Sequence, residues 1–175
     1  MRSYPQDKIV VNIKNLVEEV IDKSFSWGYF DGSAPGESKV YGAGGKFLIS
    51  DDHFFTFKAS LGFGTNNYAE LCALNILLSL AWDNHIKKLH IYGDSQLVIN
   101  WVNGKFRIQN LKLSQVLMEV NRLLDLFELV DLKHINCERN SHVDALAKDG
   151  ATVREGFWYI KEHRGNVCVE TYQSF

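Results

Sequence analysis

The sequence predicts an α/β fold: a five-stranded mixed sheet, three antiparallel strands followed by parallel ones, flanked by helices. Three observations predict it. Three strand-like segments follow one another through short links, the pattern of an antiparallel meander. Downstream, helical periodicity alternates with short apolar runs, which adds parallel strands and covering helices to the same sheet. No internal repeat or low-complexity linker interrupts the 175 residues, of which 46% are hydrophobic and 23% charged, so one domain with an ordinary core accounts for most of them.

The elements follow in order. Ile13, Leu16, Val17, Val20 and Ile21 recur at helical spacing and predict a short amphipathic helix over 13–21 ahead of the main pattern, best read as a packing appendage. Phe25, Trp27 and Tyr29 alternate with smaller or polar residues up to Asp31-Gly32, residues 41–49 are glycine-rich and then apolar, and residues 54–61 supply the third strand. Thr65-Asn66-Asn67 offers side chains that cap free backbone N–H groups, so a helix starts there and runs to about Trp82. It is apolar on most faces, which calls for burial, with Leu74 and Leu78 in the core. Residues 88–93 form a short strand with Asp94 just past it, and Ser95 to Val102 a helix closed by Asn103-Gly104. Leu113, Val116, Leu117, Val120, Leu123, Leu124 and Phe127 mark a third helix, residues 130–135 a strand, and residues 140–151 a last helix. The tail reads as a hairpin around Arg164-Gly165-Asn166, and its pairing partner is not legible.

Four acids occupy similar settings. Asp31 and Asp94 end strands, Glu70 lies in the first turn of the apolar helix, and Asp144 is near the start of the last helix among Val143, Ala145 and Leu146. Acids beside buried segments are costly unless a cation or hydrogen bonds compensate. A lone acid at a helix start is ordinarily a cap or a dipole partner. Spacing alone does not bring the four together.

Four motif blocks carry further information: Tyr29-Phe30-Asp31-Gly32-Ser33, Thr65-Asn66-Asn67-Tyr68-Ala69-Glu70-Leu71, Tyr92-Gly93-Asp94-Ser95-Gln96, and Asn140-Ser141-His142-Val143-Asp144-Ala145-Leu146-Ala147. In this order, on these elements, they resemble the signature blocks of the type 1 ribonuclease H family, over roughly Ser24 to Ala151. The resemblance runs nearest to archaeal-type enzymes and to the ribonuclease H domains of plant non-LTR retrotransposons. It implies a ribonuclease H-like fold and an endoribonuclease that hydrolyses the RNA strand of RNA/DNA hybrids, leaving 5′-phosphate and 3′-hydroxyl ends. It also implies two Mg²⁺ ions, replaceable by Mn²⁺, about 4 Å apart at the scissile phosphate. One would activate a water for in-line attack and the other stabilise the leaving oxygen. Asp31 would contact both ions, Glu70 and Asp94 would hold the first, and Asp144 would complete the second. Crowded acids repel one another, so without metal their pKa values should rise.

The resemblance also places Asn66, Asn67, Ser95 and Gln96, with the backbone near Ser33 and Ala34, in the minor groove of a hybrid, and a DNA phosphate at Thr65. Helix capping explains Thr65-Asn66-Asn67 equally, and both roles are compatible. Arg139 is placed to touch phosphate. Relatives carry an auxiliary histidine at the spacing of His134 from Asp144, although His134 also reads as a structural residue at a strand end; His142 is read as capping or solvent-facing. The basic protrusion of many relatives is missing. Only residues 105–110 join the two helices there, with Lys105, Arg107 and Lys112 as the positive charges, so substrate grip should be weak and salt-sensitive.

Net charge of −2 and a pI of about 6.3 exclude binding of nucleic acid by bulk charge. Three cysteines without a Cys-x-x-Cys predict neither a disulfide framework nor a zinc site and point to a reducing, intracellular compartment, nuclear or cytoplasmic. No apolar run approaches the ~20 residues of a membrane span, and no secretory signal is read at the start. The expected organisation is an extension over 1–23, a ribonuclease H domain over 24–151, and a tail hairpin over 152–175 packed on it, monomeric in isolation, with a reverse transcriptase domain in the same polyprotein as a partner. Rival readings are a non-catalytic nucleic-acid-binding module, a DNA nuclease on the same fold, and a structural assembly domain.

Overall fold

The computed structural model describes residues 25–33, 39–104 and 107–174. The helix expected at 13–21, the extension over 1–23, and Ala34 and Lys105 lie outside the described residues. The elements are β1 (Ser26–Ser33), β2 (Tyr41–Leu48), β3 (His53–Gly62), α1 (Asn66–Asp83), β4 (Lys88–Gly93), α2 (Gln96–Val102), α3 (Leu111–Leu124), β5 (Leu129–His134), a 3₁₀ turn (Cys137–Asn140), α4 (Ser141–Gly150), β6 (Phe157–Arg164) and β7 (Val167–Ser174).

One mixed sheet runs β5-β4-β1-β2-β3-β6-β7. β1 pairs with β4, and β4 with β5, in parallel; the other neighbours are antiparallel. The expected order is therefore present, but the sheet has seven strands among the described residues, not five. The cause is the tail. Its hairpin does not pack on a face but pairs β6 along the open edge of β3, Phe57 opposite Ile160, and hangs β7 on the outside.

Two helices cover opposite faces of the central strands. Successive side chains alternate across a strand. A side chain on Gly28 would run into Leu77 of α1, whereas one on Gly44 would run into Ala147 of α4. Gly28, Phe30 and Gly32 thus face α1, and Asp31, which pairs with Gly44, faces α4. α1 is apolar around its circumference because it is wedged between the sheet and α3. Leu71, Leu74, Leu77 and Leu78 are fully buried, packed in one core with Phe30, Phe47, Phe57 and Ile91. Thr65 caps the helix, its Oγ1 accepting from the Tyr68 N–H at 3.2 Å. Among the described residues no helix is long and apolar enough to cross a membrane.

Candidate metal centre

The parallel strands β1 and β4 set the position of the acids. Their pairing stops at Tyr29–Tyr92, and β4 ends at Gly93, which delivers Asp94 to the sheet end. Asp31 lies beside that point. It does not end its strand, as expected, but sits two residues inside it, because pairing with β2 continues to Ser33–Gly42. Glu70 arrives from the second turn of α1, as the fifth residue of a helix that begins at Asn66, and not from the first turn as expected. Its approach depends on Gly32: a Cβ there would lie 2.5 Å from the Glu70 backbone nitrogen. The Gly32 N–H also donates to the Glu70 carboxylate.

Asp31, Glu70 and Asp94 each present a carboxylate oxygen, and the three oxygens lie within 4.8 Å of one another. Asp31 and Glu70 are buried, at 4% and 7% exposure. Burial pushes the Asp31 carboxyl up to about 7, aided by the charges of Asp94 and Asp144, while a hydrogen bond with Glu70 pulls it down. Burial also carries Glu70 up to about 10, with its bond to Asp31 and the charges of Asp31 and Asp94 adding to the rise. Without metal the pair therefore shares a proton at neutral pH. Glu70 Oε2 is buried and has no hydrogen-bond partner among the described residues. A divalent cation fits this set: hard oxygen donors, an unsatisfied buried oxygen, and like-charge repulsion that a cation relieves.

Asp144 stands outside this trio. It lies in the first turn of α4, within hydrogen-bonding reach of Asp31, and its Oδ2 is held 2.9 Å from Lys148 Nζ. The structure thus brings all four predicted acids to one place, with Asp144 partly neutralised by a lysine one turn on.

The other predicted residues are distributed around this centre. Thr65 and Asn66 are exposed and Asn67 half-buried at the start of α1. Ser95 caps α2, its Oγ accepting from Val98 N, and Gln96 is exposed with its amide donating to Asn100 Oδ1 at 3.0 Å. Ser33 is buried, and its Oγ accepts from Gly42 N at 3.0 Å. Arg139 is half-buried in the 3₁₀ turn, close enough to Tyr29 for its charge to act on the phenol. His134 is exposed at the end of β5, opposite Gly93. His142 is exposed and packs edge-on against Tyr29 at 4.7 Å.

Sequence reasoning missed two contributors. Asn140 is fully buried, and its Nδ2 donates to the Phe30 carbonyl at 3.1 Å. A polar residue ahead of a helix reads as a cap, yet this one makes no capping bond. Lys148 was unremarked, although its spacing of four residues from Asp144 is the one that forms ion pairs on a helix.

A family model described as reverse transcriptase-like matches residues 29–150. A ribonuclease HI of the archaeon Halobacterium salinarum is 31% identical over 126 residues, which is 69% of this chain and 61% of that protein. The chain thus spans about three-fifths of the length of this curated relative. The crystal structure of RNase H1 from the same halophile superposes with a TM-score of 0.67 at 27% identity, covering 73% of this chain and 97% of that one. LC11-RNase H1, from compost metagenomic material and crystallised in complex with RNA/DNA hybrid, shares the fold at a TM-score of 0.65 and 21% identity, covering 73% and 96%. The chain belongs to the reverse transcriptase-like family, and it is similar to the type 1 ribonucleases H among these relatives.

Proposed function

We propose that this chain hydrolyses the RNA strand of RNA/DNA hybrids, using two divalent ions held by Asp31, Glu70, Asp94 and Asp144. The observation that carries the reading is the trio of carboxylate oxygens within 4.8 Å at the end of β1 and β4, two of them on buried residues. Mg²⁺, when bound, supplies Lewis-acid stabilisation of phosphate charge and a more acidic water.

The chain's own residues do the rest. Asp31 and Glu70 would give up the proton they share; Asp31, Glu70 and Asp94 would hold one ion, and Asp31 and Asp144 the other. The rigid sheet end and the packed start of α1 fix their directions, which lowers the reorganisation needed when the phosphate arrives. Thr65, with the free N–H groups at the start of α1, receives a DNA phosphate. Asn66, Asn67, Ser95, Gln96 and the backbone near Ser33 and Ala34 read the minor groove, where one strand alone carries 2′-hydroxyls. Arg139 steadies the backbone of the cut strand, and His134, exposed at the neighbouring strand end, assists proton transfer or product departure. The hybrid bound by LC11-RNase H1 supports the substrate class. The reverse transcriptase-like description of the family supports residues 24–151 as the nuclease unit of a larger reverse-transcription polyprotein.

The test is cleavage of a labelled hybrid beside all-RNA and all-DNA duplexes, with Mg²⁺ and with EDTA. Cutting of the hybrid alone, lost in EDTA and in Asp31→Asn, is expected. Persistence in EDTA would remove the metal mechanism, cutting of the DNA duplex would favour a DNA nuclease, and binding without cutting a non-catalytic module.

A further inference from the structure

A cavity of about 410 Å³ lies between α1, α3 and the β3–β6 pair, and none of Asp31, Glu70, Asp94 and Asp144 lines it. Leu61, Ile76, Val116 and the rings of Tyr68 and Trp158 give it apolar walls, while Asn75, Ser60, Cys72 and Glu155 supply its polar groups. Asn75 Oδ1 is shielded from solvent and finds no hydrogen-bond partner among the described residues. An acceptor left unsatisfied in an apolar recess is costly unless a donor enters. The occupant must therefore combine a body that packs on rings and aliphatic groups with an N–H or O–H donor. At the rim, Lys112 Nζ sits 4.1 Å from the centre of the Tyr68 ring and donates to the Phe63 carbonyl at 3.4 Å, which places a cation at the mouth. Tyr68 follows Thr65 by one helical turn and is tied to it through the cap, so the mouth opens beside the start of α1. Trp158 comes from β6, so this recess exists because the tail hairpin joined the sheet.

We infer that this cavity binds a single nucleobase, the ring stacked against Trp158 and Tyr68, an N–H donated to Asn75, and the attached phosphate near Lys112. Aromatic walls are indifferent to base identity, whereas an amide beside them selects for a hydrogen-bonding edge. Two sources share this chemistry: an unpaired base of a strand leaving the hybrid, and a free nucleotide. The strand source rests on the nuclease reading above, with Thr65 and the start of α1 holding the paired portion.

The experiment places 2-aminopurine in a single-stranded extension of the DNA strand of a hybrid, and separately titrates the protein with free nucleoside monophosphates observed by NMR of the tryptophan side chains. Quenching in the extension, absent when the probe lies in the duplex, is expected. Asn75→Leu, which removes the amide, and Val116→Phe, which fills the space, are each expected to weaken binding of the extended hybrid about tenfold, with the melting temperature and cleavage of a blunt hybrid kept. Binding of the free nucleotide alone keeps the site and assigns the second source. The inference is overturned if neither the extension nor any nucleotide perturbs the wild-type protein, or if both folded variants bind the extended hybrid as wild type does. Failure of blunt-hybrid cleavage in the wild type would instead count against the nuclease reading and leave nucleotide binding to decide the pocket.

Discussion

The Asn140 amide donates to the Phe30 carbonyl across 3.1 Å, and so fastens the start of α4 to the strand residue that precedes Asp31. The contact is wholly buried. It joins the segment carrying Asp144 to the strand carrying Asp31, the two acids proposed to share an ion. Asn140→Ala should cost about 1–3 kcal/mol, the range for leaving a buried polar group unpaired. Cleavage should fall further than stability explains, because Asp144 loses its tether. Denaturant melts and initial rates on the same preparation check this.

The acid pair makes the metal-free protein sensitive to pH in a defined direction. Asp31 and Glu70 are held above their ordinary values, at about 7 and about 10, so the folded state binds more protons than the unfolded one. That contribution is complete below about pH 4, where the unfolded carboxyls also protonate, and is lost as pH rises through the folded values. In EDTA the melting temperature should therefore drop from mildly acidic to alkaline pH. Added Mg²⁺ should restore it most at the alkaline end, because ligation displaces the shared proton. Asp31→Asn should flatten the part of the slope between pH 4 and 7.

Lys148 competes for Asp144. The pair is exposed and 2.9 Å long, and a cation bound by Asp144 must share it with the ammonium. Lys148→Ala is expected to lower the Mg²⁺ concentration for half-maximal cleavage and to leave the melting temperature within experimental scatter. An unchanged Mg²⁺ titration would place Asp144 outside the metal set.

Gly44 is the contact surface for α4. A methyl group there would stand 2.4 Å from the Ala147 nitrogen, which is backbone and does not swing aside. Gly44→Ala should shift α4, with a loss of about 1–3 kcal/mol and a marked fall in cleavage. Leu78→Ala supplies the contrast: it should cost about 2–5 kcal/mol while the fraction that remains folded by circular dichroism keeps its rate, since Leu78 is fully buried in α1, two helical turns from Glu70.

What was legible in the sequence was what periodicity and motifs encode. The order of elements, the capping by Thr65 and the burial of Leu74 and Leu78 follow from local pattern; the rise of the Asp31 and Glu70 carboxyls was expected from crowding, but burial is its larger cause. The four motif blocks pointed to acids that spacing alone could not bring together. Long-range pairing was not legible. Nothing local in residues 157–164 says that they will add to β3, because an edge accepts any extended segment of suitable register. Asn140 was hidden for a related reason: its partner is a carbonyl 110 residues away, and only the fold makes them neighbours.

The hairpin at residues 157–174 has a practical consequence for anyone trimming the chain to its motif-bearing part. A version stopped at 151 would bare the backbone of β3 along the seven positions now paired from His53 to Ala59, over a strand rich in phenylalanine. An open rim of that kind recruits copies of itself. Such a truncation should be sticky in solution even with every acid in place, and preparations meant for kinetics should retain the tail.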